Sequence, residues 1–484
     1  MPTAVSKEAP LKLEFIVVGG GLAGFAVAFT LCKGGHKVRV LEKQATLGAP
    51  SSGLRVPPNM SKILKKWVGA EELAKIACLN VATPWYDLET GELMGNAQWK
   101  PAVMAETGGD FLMMKHEDVH RLLHRLATEA GAQVEFGVTV QEVQPGDPQP
   151  SVVLEDGRTL MADIIVGADG PNSIVRKTVL DVDDDEAEPS GYTAFGGIIP
   201  ASEITKDPEL TMLLQSNEWP VWMGNNRCIC AHPVVRKVDC EHGPACSNCP
   251  KQKAKSEYAV QLCWPDEDAG TPPDVKESWF DVVPTSSVRF GPLSPLVQRM
   301  MDMTKFLYRS RWMKRDGIDY WIDETNRIVL VGEAAHPWFP SGAHGPAMAV
   351  EDAVVLGTLF SNLSSEDQIP TFLNAYQEIR EGRTTEVNKN EASAAAFCRL
   401  PPGPARDARN ASMRLSRDEW NDGSDGSMKK EFEGIAGLFG YEAEDAAQEW
   451  WVTWGRYGQA ARESVQYGFE TATVEGMAHL KLDE

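Results

Sequence analysis

The stretch from Phe15 to Leu31 constrains the fold more than any other part of the sequence. A short apolar run typical of a strand leads into the glycine pattern of Gly19, Gly21 and Gly24, and then into an alanine-rich segment typical of a helix. Hydropathy alone would fit a marginal membrane span, but glycines near its start argue against a continuous spanning helix. In a strand–glycine turn–helix unit, the turn lets the backbone approach a pyrophosphate at the positive end of the helix dipole. The pattern therefore predicts a dinucleotide site.

An acidic residue ends the strand predicted after this turn. Glu42 directly follows the predicted strand from Lys37 to Leu41. An acid about 20 residues beyond such glycines is placed to hydrogen-bond a ribose hydroxyl. Glu42 therefore favours FAD or NAD over a cofactor that carries a 2′-phosphate. Arg55 lies in the Gly/Pro/Ser-rich segment 47–59 and is interpreted either as a partner of cofactor phosphate or as a solvated loop arginine.

Two later segments repeat the order of apolar strand, glycine-rich loop and helix. The strand predicted at residues 159–166 is followed by a glycine-rich turn that contains Asp169. The strand predicted at residues 328–331 is followed by the glycine- and proline-rich segment 332–346 and a helix. The first turn of such a helix leaves backbone N–H groups free for an anion. Either segment alone is an ordinary turn, but beside the first loop both favour further cofactor contacts.

Composition excludes some classes of partner. The chain has 484 residues and a formal net charge of −22, which argues against nucleic acid or an anionic membrane surface as a partner. Its nine cysteines are scattered and odd in number, which favours reduced thiols and a cytoplasmic location over a disulfide scaffold. The first residues lack the pattern of a signal peptide.

The three loops together resemble one family. They are similar to the motifs of single-component, FAD-dependent aromatic hydroxylases, and most similar to salicylate-hydroxylase-like monooxygenases. The matching motifs are Gly19-x-Gly21-x-x-Gly24 with Glu42, Gly167-Ala168-Asp169-Gly170 through Arg176, and Gly332-Glu333-Ala334-Ala335-His336-Pro337 through Glu351-Asp352.

The resemblance implies an α/β fold with a discontinuous FAD domain. The expected Rossmann-like FAD-binding domain, with its parallel sheet, takes residues 1–185 and 285–395. A mainly antiparallel β-sheet substrate domain is expected to be inserted at 186–284. A helical C-terminal region is expected at 396–484.

The resemblance also implies roles for individual residues. The glycines of the first loop hold the FAD pyrophosphate, Glu42 holds the ribose, and Asp169 serves the handling of FAD and NAD(P)H. The third loop contributes Gly332, Gly345 and Pro346 to cofactor binding, and the acid after Gly332 contacts the ribityl chain. Pro337 and Pro340 line the flavin face at which a C4a-hydroperoxide forms.

Three positions depart from the family pattern. The acid of the third loop is Glu333 rather than aspartate, and His344 stands where glutamine is common. The arginine of the family's R-x-D-L pattern falls on His116, which we carry over as a cofactor-binding residue.

The middle of the chain is expected to supply the substrate residues. A neutral imidazole is suited to accept the proton of a phenol, and we predict that His232, on a strand of the substrate sheet, is this base. His344 is the competing candidate. Arg227 or Arg236 is expected to hold a substrate carboxylate, and the sequence does not choose between them.

The resemblance implies hydroxylation of a phenolic or aromatic acid such as salicylate or 4-hydroxybenzoate, with or without decarboxylation. The reaction would use FAD, NADH or NADPH, and O2, in a monomer or homodimer. One alternative is another FAD-dependent oxidoreductase of this fold, such as a halogenase, although the Trp-x-Trp-x-Ile-Pro signature is absent. Another is a zinc-stabilised binding protein, although we predict no metal. Its candidate ligands are Cys228, Cys230, Cys240, His242, Cys246 and Cys249.

Overall fold

A computed structural model describes most of the chain. The described residues are 8–48, 52–146, 149–182, 187–235, 256–275, 277–278, 280–338, 342–422 and 437–455. Pro340, Arg236 and the four possible zinc ligands Cys240, His242, Cys246 and Cys249 lie outside these ranges.

Strands and helices alternate in the first part of the chain, and the regular elements described after β19 are helices. The strands are β1 (Glu14–Val18), β2 (Lys37–Glu42), β3 (Gly53–Val56), β4 (Ala77–Leu79), β5 (Ala82–Asp87), β6 (Leu93–Gln98), β7 (Leu112–Lys115), β8 (Gln133–Phe136), β9 (Val140–Gln144), β10 (Ser151–Leu154), β11 (Thr159–Met161), β12 (Ile164–Gly167), β13 (Glu188–Ile199), β14 (Val221–Met223), β15 (Cys228–Val235), β16 (Ser256–Pro265), β17 (Asp281–Pro284), β18 (Phe306–Lys314) and β19 (Ile328–Leu330). The helices are α1 (Leu22–Lys33), α2 (Pro58–Val68), α3 (Ala70–Ala74), α4 (Pro101–Thr107), α5 (His116–Glu129), α6 (Ile174–Leu180), α7 (Ala201–Ile204), α8 (Pro208–Gln215), α9 (Asp266–Ala269), α10 (Pro295–Met303), α11 (Gly345–Phe360), α12 (Ile369–Cys398), α13 (Pro404–Asp422) and α14 (Ala443–Trp450).

A five-stranded parallel sheet forms the centre of the first domain. Its strand order is β19-β12-β1-β2-β8, and every neighbouring pair is parallel. Strands β12 and β19 are buried throughout, as expected for parallel strands covered on both faces. The strands that precede the three glycine-rich loops, β1, β12 and β19, are immediate neighbours. Because parallel strands end at the same edge, the three loops meet there.

A larger sheet lies beyond this domain. Its eight strands have the order β17-β18-β13-β16-β15-β14-β5-β6, and all pairs are antiparallel except β14 with β5. The predicted α/β fold with a mainly antiparallel second sheet is confirmed. The sheet also takes in β5, β6 and β18, which lie on either side of the segment 186–284. The segment 186–284 therefore supplies five of the eight strands, β13 to β17, and the domain boundaries stay a prediction.

A small sheet, β3-β7-β4, lies between the two larger ones. The Gln261 side chain of β16 donates a hydrogen bond of 2.7 Å to the carbonyl of Gly53 on β3. Lys115 at the end of β7 forms a buried ion pair with Glu257 on β16. These contacts fix β3 against the eight-stranded sheet. Among the described helices, none combines the length and the apolar character needed to cross a bilayer.

Candidate active site

The first loop is a backbone cradle that only glycine permits. Gly19 has a φ of +102°, a conformation that side chains disfavour. A Cβ at Gly24 would lie 1.9 Å from the Gly19 carbonyl oxygen, whereas a Cβ at Gly21 would meet nothing within 4 Å. Gly21 is the N-cap of α1, and no side chain caps that helix. The N-terminus of α1 is therefore open to an anion such as a pyrophosphate.

Glu42 shapes this cradle from the end of β2. Its carboxylate accepts hydrogen bonds of 2.7 Å from the backbone N–H groups of Gly20 and Gln44. Glu42 also lines a cavity of about 380 Å³ at the shared sheet edge. Five of the predicted site residues line this one cavity, namely Gly19, Gly21, Glu42, His116 and Asp169.

Two histidines on α5 face the same cavity. Burial and the nearby His120 lower the pKa of His116 to about 4, so His116 is neutral at pH 7. His116 Nδ1 has no hydrogen-bond partner among the described residues. His120 Nε2 lies 2.6 Å from the Gly20 carbonyl oxygen and supports the glycine turn. His120 was not predicted from the sequence, although its spacing of four from His116 places both on one helix face.

Asp169 is held by the start of α6. It accepts hydrogen bonds from the backbone N–H groups of Ile174 at 2.8 Å and Val175 at 3.3 Å, and from the Ser173 hydroxyl. Burial raises the pKa of Asp169, although these bonds act in the opposite direction. The carboxyl group thus fixes the second loop at the rim of the cavity.

The third loop packs directly against the first. A Cβ at Gly332, whose φ is +61°, would lie 2.9 Å from the Ala23 Cβ in the first turn of α1. Glu333 makes no hydrogen bond to another described residue. Burial and the nearby Glu277 raise the pKa of Glu333 to about 7, although Arg315 acts in the opposite direction. This carboxyl group can therefore donate or accept a hydrogen bond near neutral pH.

Buried ion pairs tie the third loop to α11 and α12. Arg380, fully buried, pairs with Glu351 and Asp352 at 2.8 Å each. Asp352 also accepts hydrogen bonds from Gly332 N–H at 2.9 Å and from His336 Nε2 at 2.6 Å. Burial opposes its ionisation, but His336 and Arg380 hold the pKa of Asp352 at about 2. The geometry at the start of the third loop thus depends on charges that are buried away from water.

Glu391 of α12 holds the end of the third loop. Its carboxylate accepts hydrogen bonds from the indole of Trp338 and from the backbone N–H groups of Ala343 and His344. It also lies 3.0 Å from His344 Nδ1. Burial alone would raise the pKa of Glu391. His344 and the other hydrogen-bond donors outweigh burial, so the pKa of Glu391 is lowered. Glu391 was not predicted, because nothing in its local sequence marks it.

His344, Gly345 and Pro346 lie where α11 begins. His344 is the N-cap, and Gly345 and Pro346 are the first two helical residues. The imidazole stacks on Phe439 with a ring-centroid distance of 5.4 Å. Because the Glu391 carboxylate accepts from Nδ1, the Nε2 atom carries the lone pair, and it has no hydrogen-bond partner among the described residues.

His232 is enclosed between two sheets. It is fully buried on β15, and its Nδ1 lies 3.1 Å from the Pro233 carbonyl oxygen. Its Nε2 packs against the backbone of Gly53, where a Cβ would approach it to 2.4 Å. Burial lowers the pKa of His232 to about 4, which makes it a weak base.

The candidate arginines differ in their pairing. Arg227 is engaged by Asp268 at 2.7 Å and by the Phe290 carbonyl at 2.8 Å, so its charge is already satisfied. Arg55 lies on β3 rather than in a solvated loop, and it is not among the residues lining the cavity at the glycine turns. The solvated-loop interpretation is therefore wrong, and the role of Arg55 as a partner of cofactor phosphate stays a prediction.

The cysteines that the structure describes are free thiols, including Cys228 and Cys230 on β15. The described ranges contain no group of three or more His, Cys, Asp or Glu residues that could hold a metal ion.

Comparison with known proteins agrees with this geometry. The family described as FAD binding domain matches residues 12–391. The 3-amino-4-hydroxybenzoate 2-monooxygenase PtnB3 of Streptomyces platensis is 25% identical over 85% of this chain and 94% of its own length. The 6-hydroxynicotinate 3-monooxygenase of Bordetella bronchiseptica is 26% identical over 78% of this chain and 90% of its own length.

Solved structures share the fold. A salicylate hydroxylase substrate complex superposes with a TM-score of 0.67 at 20% identity, covering 90% of this chain and 97% of the other. CtdE in complex with FAD and a substrate superposes with a TM-score of 0.70 at 17% identity, covering 91% of this chain and 98% of the CtdE chain.

The chain belongs to the FAD-binding-domain family. Within it, the chain is an FAD-dependent monooxygenase of the aromatic-hydroxylase type, as the three motifs implied. The cradle fits the cofactor: Gly19 and Gly24 leave no space for a Cβ, and the open N-terminus of α1 faces the cavity.

Proposed function

We propose that this flavoprotein is an NAD(P)H- and O2-dependent hydroxylase of a phenolic or other aromatic acid. The observation that carries the proposal is the meeting of three cofactor loops at the ends of β1, β12 and β19, beside the eight-stranded sheet. Two relatives support the substrate class, because their names specify hydroxylation of an aminohydroxybenzoate and a hydroxynicotinate. Both substrates are aromatic acids.

The chain's own residues would position the reactants. Bound FAD would accept a hydride from NAD(P)H and, with O2, deliver one oxygen atom to the ring. Gly19, Gly21 and Gly24 would hold its pyrophosphate and Glu42 its ribose. Glu391 holds Trp338, Ala343 and His344 in place, and these residues would help to exclude water from the reacting face.

The proton of the phenol needs an acceptor. Of the two histidines predicted for this role, His344 is favoured, because Glu391 holds its Nδ1 proton and leaves Nε2 unpaired. A carboxylate in this position orients the imidazole and stabilises its protonated form, as in other acid–base pairs. His232 remains a second candidate, although its lowered pKa of about 4 weakens it as a base.

A substrate panel tests the function. Purified protein with FAD is expected to oxidise NADH or NADPH several-fold faster when a phenolic acid such as salicylate or 4-hydroxybenzoate is added. Gly24→Ala serves as the control, because its Cβ would collide with the Gly19 carbonyl oxygen and disrupt the cradle. The readouts are absorbance at 340 nm and identification of the product. If no aromatic compound accelerates the oxidation of either nucleotide, the proposal is wrong.

A further inference from the structure

Arg55 is a cation enclosed by aromatic rings. Its guanidinium carbon lies 4.1 Å from the ring centroid of Phe111, 4.2 Å from that of Trp219 and 5.5 Å from that of Trp99. We refer to these four residues as the Arg55 cage. Cation–π contacts of this kind orient a guanidinium but do not neutralise its charge.

The charge of Arg55 has no anionic partner among the described residues. Its Nε and Nη2 atoms are enclosed and make no hydrogen bond, whereas Arg227 and Arg380 both pair with carboxylates. Burial lowers the pKa of Arg55 to about 9, and Cys230 and Glu391 oppose this only from a distance. An enclosed charge without a partner is costly, so the cage favours binding of an anion.

The unpaired atoms indicate which anion fits. Nε and Nη2 form one edge of the guanidinium, and such an edge binds a carboxylate through two parallel hydrogen bonds. The aromatic side chains of the cage suit a planar ring beside that carboxylate. Trp99 and Phe111, but not Arg55 or Trp219, line a neighbouring cavity of about 610 Å³, a volume within the range of small-molecule sites.

Strand β3 places Arg55 two residues from Gly53, which packs against His232. Arg55 is close enough to His232 and Glu391 to interact electrostatically with both, and Glu391 contacts His344 directly. The whole side chain of Arg55 is only partly buried. Because Nε and Nη2 are enclosed, the proposal requires the arginine side chain to change rotamer when a ligand enters.

We propose that Arg55 binds the carboxylate of an aromatic acid substrate and so determines the preference for acids over neutral aromatic compounds. This inference rests on the proposed hydroxylase function. Of the two arginines predicted for this role, Arg227 is already paired with Asp268 and Arg236 lies outside the described residues.

Matched ligands test the proposal. The probes are salicylate and 4-hydroxybenzoate, each compared with its uncharged carboxamide, and binding to the FAD-loaded protein is followed by the change in flavin absorbance. Wild-type protein is expected to bind each acid more tightly than the corresponding carboxamide. Arg55→Gln is expected to weaken binding of the acids about 100-fold and of the amides less than about threefold, as when one partner of a buried charge pair is removed. Arg414→Gln, which removes an exposed ion pair with Glu92, is the control. It should leave the affinities for the acids and for the amides unchanged.

A second variant covers the case in which Arg55→Gln fails to fold. Arg55→Lys keeps the positive charge but loses the guanidinium edge that can form two parallel hydrogen bonds. KM for the acid is therefore expected to rise about tenfold, with kcat nearly unchanged. Equal weakening of acid and amide, or no weakening by either variant, would overturn the assignment of Arg55. Equal binding of acid and amide by the wild type would also overturn it, while leaving the hydroxylase function intact. If no aromatic compound accelerates NAD(P)H oxidation, the function itself fails.

Discussion

Replacing Arg380 with methionine is expected to lower the free energy of unfolding by about 3–5 kcal/mol, because it leaves two buried carboxylates without their cation. Arg380, Glu351 and Asp352 are all fully buried, and the two ion pairs are 2.8 Å each. Urea titration of the purified protein, followed by intrinsic tryptophan fluorescence, measures the change.

The control for this variant is Arg125→Met. Arg125 pairs with Glu129 at 3.6 Å on the exposed side of α5, and such exposed pairs contribute less than about 1 kcal/mol. Comparable losses of unfolding free energy in the two variants would show that the buried pairs do not stabilise the third loop.

Replacing Glu333 with alanine is expected to weaken FAD binding about 100-fold, the effect of losing hydrogen bonds to an ionisable group. His344→Gln is expected to retain FAD and to lower turnover at least about tenfold, because it removes the proposed proton acceptor. The measurements are the flavin content of the purified variants, the dissociation constant for added FAD, and the rate of NAD(P)H oxidation.

Glu333→Asp provides the matched control. It restores the acid that the resembled family carries at this position, so it should keep FAD far better than Glu333→Ala. Equal FAD retention by Glu333→Ala and His344→Gln would contradict this division of roles.

The fold and the cofactor loops were predictable because local pattern determines them. The glycines at 19, 21 and 24 are required by a turn with a positive φ at Gly19 and by contact between Gly24 and the Gly19 carbonyl. Apolar runs before each loop identified β1, β12 and β19, but the single strand predicted at 159–166 is two strands, β11 and β12, in different sheets. The resemblance supplied what pattern alone does not, namely that these strands belong to one cofactor site.

The residues that were missed depend on contacts between distant segments. Glu391 holds His344 across 47 positions of sequence, and His120 holds Gly20 across 100. The position of Arg55 follows from the pairing of β3 with β7 and from the approach of Trp219. The glycine- and proline-rich sequence around Arg55 contains no pattern that predicts either contact. For the same reason, β5 and β6 could not be assigned to the eight-stranded sheet from their own sequence.

The most direct test of the central claim is the origin of the oxygen in the product. The FAD-loaded protein is incubated with NADH or NADPH, the aromatic acid that best stimulates its oxidation, and ¹⁸O2, and the product is analysed by mass spectrometry. The proposed function predicts a hydroxylated aromatic product that carries one ¹⁸O atom. A product without the label, or nucleotide oxidation that yields only hydrogen peroxide with every aromatic acid, would contradict it.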